Sequence, residues 1–138
     1  MARTLGTAAI LAAAMIGSAG VAQAHHSFAM FDLAHTATLT GTVKEWQWTN
    51  PHAWLQVLVT DSTGTEVEQG FEVGSPNTLV RDGFRKDSFK PGDKVRVIAA
   101  PRRDGTVGGL FLCARTVEGK WVIFGMGPNS PARPECQG

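Results

Sequence analysis

Net charge is the first thing this chain lacks. Lysines and arginines number 13 against 12 aspartates and glutamates, and one of the basic residues, Arg3, lies in a stretch that reads as a removable leader. A nucleic-acid binder needs a basic surface to exchange for phosphate counterions, so the balance argues against a general DNA- or RNA-binding role. Cysteine is scarce too: Cys113 and Cys136 are the only two, and the lack of a C-x-x-C spacing disfavours a cysteine-built metal site. No internal repeat is present. Ser27, Ser62, Ser75, Ser88 and Ser130 stand in no recognisable nucleophile context, and Glu45 is a single carboxylate without a partner, so no catalytic residue is assigned. Gly108-Gly109 is an isolated pair and no phosphate loop.

The leader is what the sequence does carry at its start. Ala8 to Val21 is small or apolar throughout, and Ala22 and Ala24 occupy the positions of an A-x-A cleavage site. Residues 1–24 are therefore expected to be a signal peptide and the mature protein to begin at His25, in the periplasm or outside the cell, with no membrane span after cleavage. An oxidising compartment permits one bridge between Cys113 and Cys136, worth about 3 kcal/mol through loop closure. A buried, unreacted Cys113 beside a free Cys136, or a bridge to another chain, are the alternatives.

From His25 to Thr36 no period is evident, and His25, His26 and His35 are mixed with Phe28, Met30 and Phe31 as in an arm that docks by its aromatics. Residues 37–125 then read as one β domain. Ala37 to Trp48 is a long strand whose phase changes: Leu39, Gly41 and Val43 share one face, Trp46 and Trp48 the other, which calls for a bulge near Lys44 or Glu45 or a sharp coil at Gly41. Asn50-Pro51 turns the chain. Ala53 to Thr60 is a second strand, apolar enough to be covered on both faces, and Asp61 to Gly64 closes a hairpin onto a third, Glu66 to Val73. Ser75 caps and Pro76 opens a short helix to Asp82, with Leu79 and Val80 toward the core and Gly83 ending it. Lys94 to Ala100, Leu110 to Val117 and Lys120 to Phe124 complete the strands, and 126–138 is a loose tail unless Cys136 ties it down. Three strands, a helix and two more strands is the order of an OB-fold, so the expected class is all-β with one short helix, an OB-like barrel of five to six strands; a small β-sandwich is the alternative.

The HHSF segment at His25, the run G-T-V-x-x-W-x-W-x-N-P-H from Gly41 to His52, and G-F-x-x-x-x-x-K-P-G-D-x-V from Gly83 to Val95 together resemble an uncharacterised group of small exported bacterial proteins, classed as a domain of unknown function. The likeness runs to about Val117. It implies a compact β-barrel in a bacterial, periplasmic setting and no activity. Gln69 departs from it, standing where an aromatic residue is expected.

The segment Trp46 to Trp54 holds three of the four tryptophans around His52. If His25 becomes the first residue, its amine and imidazole, joined by His52, form the three-nitrogen set called a histidine brace, which suits copper(II). His26 and His35 are substitutes for His52, and Met30 is a soft axial ligand. The plainer alternative is a solvated terminus, with His52 stacked on Trp48 or Trp54. The loops after strand one and before strand five flank the ligand face of an OB-fold, so Trp48, Asn50 and Trp54 with Arg102 and Arg103 at the rim suggest a small organic ligand or a protein partner instead. The functional expectation is an exported binding module for a transition metal such as copper, with the organic-ligand or docking module second and a copper-dependent oxidative enzyme third.

Overall fold

The computed structural model describes residues 28–125 and 133–137. The chain divides into two compact units, Met1–Met30 and Phe31–Gly138, and the fold described below is that of the second. The signal peptide, His25 and His26 lie outside the described residues.

Six strands and one helix follow in the order β1 (Ala37–Gln47), β2 (Trp54–Thr60), β3 (Glu66–Glu72), α1 (Pro76–Arg81), β4 (Lys94–Pro101), β5 (Gly109–Thr116) and β6 (Trp121–Ile123). They hydrogen-bond in the order β3-β2-β1-β4-β5-β6, and a further parallel pairing of β3 with β5, through Phe71–Gly109 and Glu72–Leu110, closes the first five into a barrel. This is the connectivity of an OB-like barrel with β6 added outside β5, and the sandwich alternative is set aside.

Two devices in β1 let one strand serve both sides of the barrel. The register against β2 shifts between Val43 and Glu45, so Lys44 is the extra residue and the inward phase moves from Val43 to Trp46. At Gly41 a Cβ would run into the Leu58 carbonyl and the Val57 side chain, so only glycine admits the crossing. Closure depends on a second glycine. Gly108 has φ of 91°, and a Cβ there would strike the Gly70 carbonyl, so the loop before β5 reaches β3 only without a side chain. The Gly108-Gly109 pair thus has a packing role.

Side chains from every barrel strand fill the interior, with Val43, Leu55, Val57, Phe71, Val97 and Phe111 among them and Phe84 and Phe89 from the α1–β4 connection. Phe111 meets Phe84 and Phe89 edge to face at 5.9 and 6.2 Å. Helix α1 is capped by Ser75, whose hydroxyl accepts from the Thr78 N–H, and it buries Leu79 over the barrel end. Val80 does not face the core as expected; it is 49 % exposed, because a helix of six residues presents one narrow face and Val80 lies about 100° around from Leu79. Strand β2 is covered on one face only. Leu55, Val57 and Val59 are buried, whereas Trp54, Gln56 and Leu58 face outward and are half-buried.

A second apolar cluster sits outside the barrel on β4 and β5. It joins Phe31, Ile98, Ala100, Leu110, Leu112, Cys113 and Cys136. A register shift between Ile98 and Ala99 turns Leu112 and Cys113 both outward, giving this cluster more surface than strict alternation would. Phe31 reaches it by a bridge to Arg102 and an Asp32 N–H donated to the Pro101 carbonyl at 2.8 Å. From the other end, a 3-10 turn at Pro134–Cys136 arrives, and a disulfide joins Cys136 to Cys113. The stretches before β1 and after β6 are therefore both fastened to one external face.

Candidate metal site at the barrel rim

The β2–β3 hairpin decides what stands opposite the β1–β2 turn. In its loop the Asp61 carboxylate accepts from the Thr63 hydroxyl and from the N–H groups of Thr63 and Thr65. The Thr63 hydroxyl, then the Thr65 and Thr63 amides, hold the Asp61 carboxyl below the usual carboxylate range. With the loop pinned, Thr60 pairs with Glu66, and counting back along the ladder Trp54 pairs with Glu72. The ladder continues one step beyond the strands, where Ala53 donates to the Gly74 carbonyl at 3.0 Å and accepts from Val73 at 2.9 Å. Side chains alternate along an extended chain, so with Ala53 buried, His52 and Trp54 share the outer face with Glu72.

His52 follows a turn whose Asn50–Pro51 peptide bond is cis and whose Thr49, Asn50 and Pro51 are exposed. His52 Nδ1 lies 2.8 Å from Glu72 Oε1; the two side chains are 38 % and 11 % exposed. A carboxylate only accepts, so Nδ1 carries the proton of this contact, and in the neutral ring Nε2 is then the nitrogen with the lone pair. Glu72 is the buried acidic residue of the described chain, at 8 % exposure, held between the pairing with Trp54 and the closing pairing with Leu110.

Glu72 was missed by reading motifs along the sequence. The signal that would have found it is the hairpin register, since a loop pinned by Asp61 places residue 72 opposite residue 54 by counting alone.

The remaining candidates lie elsewhere. His35 is 77 % exposed and its Nδ1 pairs with Asp32 at 2.7 Å, an interaction that, with the Ala34 N–H, holds the Asp32 carboxyl below its ordinary range. Met30 belongs to the leading unit and not to the barrel. Among the described residues no group of three or more histidines, cysteines and carboxylates gathers, so His52 has one carboxylate beside it and no second imidazole among them.

Trp46 and Trp48 pack against the interior, with Trp46 5.3 Å from Phe89 and its Nε1 donating to the Arg85 carbonyl at 3.0 Å. Trp121 packs in the external cluster, and Trp54 in neither. Arg102 lies with its guanidinium carbon 5.9 Å from the Phe31 ring centre, and Arg103 is exposed near Asp32. Both arginines therefore serve the Phe31–Asp32 side of the loop. Gln69 accepts from the Gly108 N–H at 3.3 Å, so where an aromatic residue was expected an amide ties the β4–β5 loop to β3.

A cleft of about 340 Å³ opens between the α1–β4 connection and the β5–β6 hairpin, lined by Arg85, Asp87, Glu118 and Lys120 among others, and shares no residue with the His52 site. Its charges balance, and Arg85 is already committed to the Val80 and Phe84 carbonyls. No helix among the described residues is long and apolar enough to cross a membrane.

A model for a family of unknown function, DUF6152, matches residues 12–112, and the chain belongs to that family. No curated protein and no solved structure matches.

Proposed function

We propose, from membership of a family that brings no assigned activity, that this protein is an exported module that binds copper or a similar transition metal at the rim of the barrel. The leader is removed after Ala24, and the amine and imidazole of the new terminal His25 bind together with Nε2 of His52. The observation that carries the reading is the contact of His52: one ring nitrogen is engaged by a buried carboxylate, which leaves Nε2 of the half-exposed ring as the donor of the neutral imidazole. Metal-binding histidines usually donate their second ring N–H in this way. Amine and imidazole are neutral donors at the cost of one readily displaced proton, since an α-amine titrates near about 8.

Chain length supports the reading as well. Phe31 is fastened to Arg102, and six residues from His25 to Phe31 span at most about 20 Å. Stepping from Arg102 through β4, β5 and β3 to β2 crosses strands about 4.8 Å apart, a path of similar length.

Intact-mass measurement of the mature protein tests the terminus: a chain starting at His25 is expected. Copper titration of tag-free mature protein and of His52→Ala tests the ligand set. Equal affinity and equal coordination spectra in the two proteins would sink the reading.

A second reading, a small-organic-ligand or docking module, is favoured by Trp54, the tryptophan that packs in neither apolar cluster. It predicts tryptophan fluorescence changes with ligand in metal-free protein that Trp54→Ala abolishes and that are indifferent to loss of His25.

A further inference from the structure

Burying a carboxylate inside a sheet pairing is an expensive way to build a barrel. Position 72 lies at the closure seam, opposite Trp54 on one side and Leu110 on the other, and an apolar residue there would pack without the cost of stripping water from a charge. That carboxylate lies 2.8 Å from Nδ1 of the half-exposed His52 ring. The costly group is thus directed at a half-exposed imidazole, which is the pattern expected when orientation of that ring is what the carboxylate supplies.

We infer that Glu72 is the positioning residue of the rim site: it fixes His52 as the Nδ1–H tautomer and aims Nε2 outward for a divalent or monovalent copper ion. The inference rests on the metal-binding reading for its consequence, while the tautomer itself is a property of the metal-free protein. The arrangement is built by the fold at three points. Asp61 sets the hairpin register that puts residue 72 opposite residue 54; the ladder step at Ala53 turns His52 to the same face; and the β3–β5 closure, which Gly108 permits, shuts water from the far side of the carboxylate. The other histidine–carboxylate pair, Asp32 with His35, lies elsewhere on an exposed turn without such enclosure and is the natural control.

Three variants of the mature, tag-free protein test this. Glu72→Leu removes the acceptor and fills the position with an apolar side chain; Glu72→Gln restores an acceptor without charge; His52→Ala removes the ligand. In metal-free protein, nitrogen-15 chemical shifts of the His52 ring, taken where the ring is neutral, are expected to report protonated Nδ1 in the native protein, the same tautomer in Glu72→Gln and a mixture or the reverse in Glu72→Leu. Copper affinity is expected to fall about 10- to 100-fold in Glu72→Leu and by less in Glu72→Gln, with a melting temperature in Glu72→Leu equal to or above that of the native protein.

Native copper affinity together with a retained Nδ1–H tautomer in Glu72→Leu overturns the inference, and loss of binding in His52→Ala would then leave the metal reading standing. Native affinity in His52→Ala overturns the metal reading, and the tautomer shifts still decide the role of Glu72. If Glu72→Leu folds poorly, Glu72→Ala takes its place, and native copper affinity together with a retained Nδ1–H tautomer in that variant overturns the inference equally.

Discussion

His35 and His52 each bring a ring Nδ1 to a carboxylate, at 2.7 and 2.8 Å. The lengths are alike and the surroundings are not. Asp32 and His35 are three residues apart on an exposed turn, so water competes for both groups, and such pairs contribute little to either stability or orientation. Glu72 and His52 come from different segments, and Glu72 is buried where two strand pairings fix the backbone from which its side chain reaches the ring. A histidine–carboxylate contact is therefore informative in proportion to how firmly the acid is held. Distance alone does not distinguish a site from a surface contact.

The contrast between the two regions can be broken in four ways. The largest effect concerns what anchors the His35 turn. If that anchor is Phe31 in the external cluster, Phe31→Ala should cost about 3–5 kcal/mol in urea unfolding, the range for a fully buried phenylalanine. A loss below about 1 kcal/mol would show that the cluster is not needed. Next, the tryptophans beside His52 should separate: Trp46→Ala, which loses contacts to Phe84 and Phe89, is expected to cost about 3 kcal/mol, and Trp54→Ala, outside both clusters, about 1 kcal/mol or less. Equal losses would mean that Trp54 is a core residue.

Copper titration then compares the two rings directly. His52→Ala is expected to weaken binding by more than about 100-fold and His35→Ala by less than about twofold; a larger effect at His35 would transfer the site to the exposed turn. The smallest effect is a matter of pH. The folded protein lowers the Asp32 pKa, chiefly through the His35 hydrogen bond, so ionised Asp32 favours the folded state above its unfolded pKa and that contribution disappears as pH falls through the lower folded value. Asp32→Asn should accordingly be slightly less stable than the native protein near neutrality, and the gap should close below about pH 4. A gap that persists in acid would assign the difference to something other than the carboxylate.

Much of the barrel is legible in the order of residues because its signals are local. The phase change between Val43 and Trp46 announces the bulge that the register shift realises, Ser75-Pro76 and Gly83 bracket the helix, and Asp61 to Gly64 closes a hairpin whose strands then run to Glu72. The same local logic fails for Val80, since a pattern over six residues does not say which side of so short a helix meets the barrel end. It fails again for the coverage of β2, whose apolar outer residues resemble those of a strand buried on both faces until the neighbouring elements are known.

The site divides along the same line. His52 stands out in the sequence because three tryptophans and an Asn-Pro turn surround it. Glu72 has no such company: it ends a strand of alternating glutamates and looks like one more solvated charge. Its burial arises from the parallel seam with β5, formed by residues nearly forty positions away and permitted by the bare backbone at Gly70 and Gly108. For Arg102 and Arg103 the structure adds neighbours that the sequence does not announce, the Phe31 ring for one and Asp32 for the other.

The succession of strands, the helix, the bulge and the turn that carries His52 are written locally in the chain, because each follows from side-chain alternation, glycine and proline geometry, or capping within a few residues. The tertiary structure alone decided that Phe31 and Cys136 meet on one outer face and that a carboxylate from β3 is enclosed against His52. Both outcomes depend on strand closure across long loops, and the burial that gives a charged or aromatic side chain its meaning exists only once the barrel has closed.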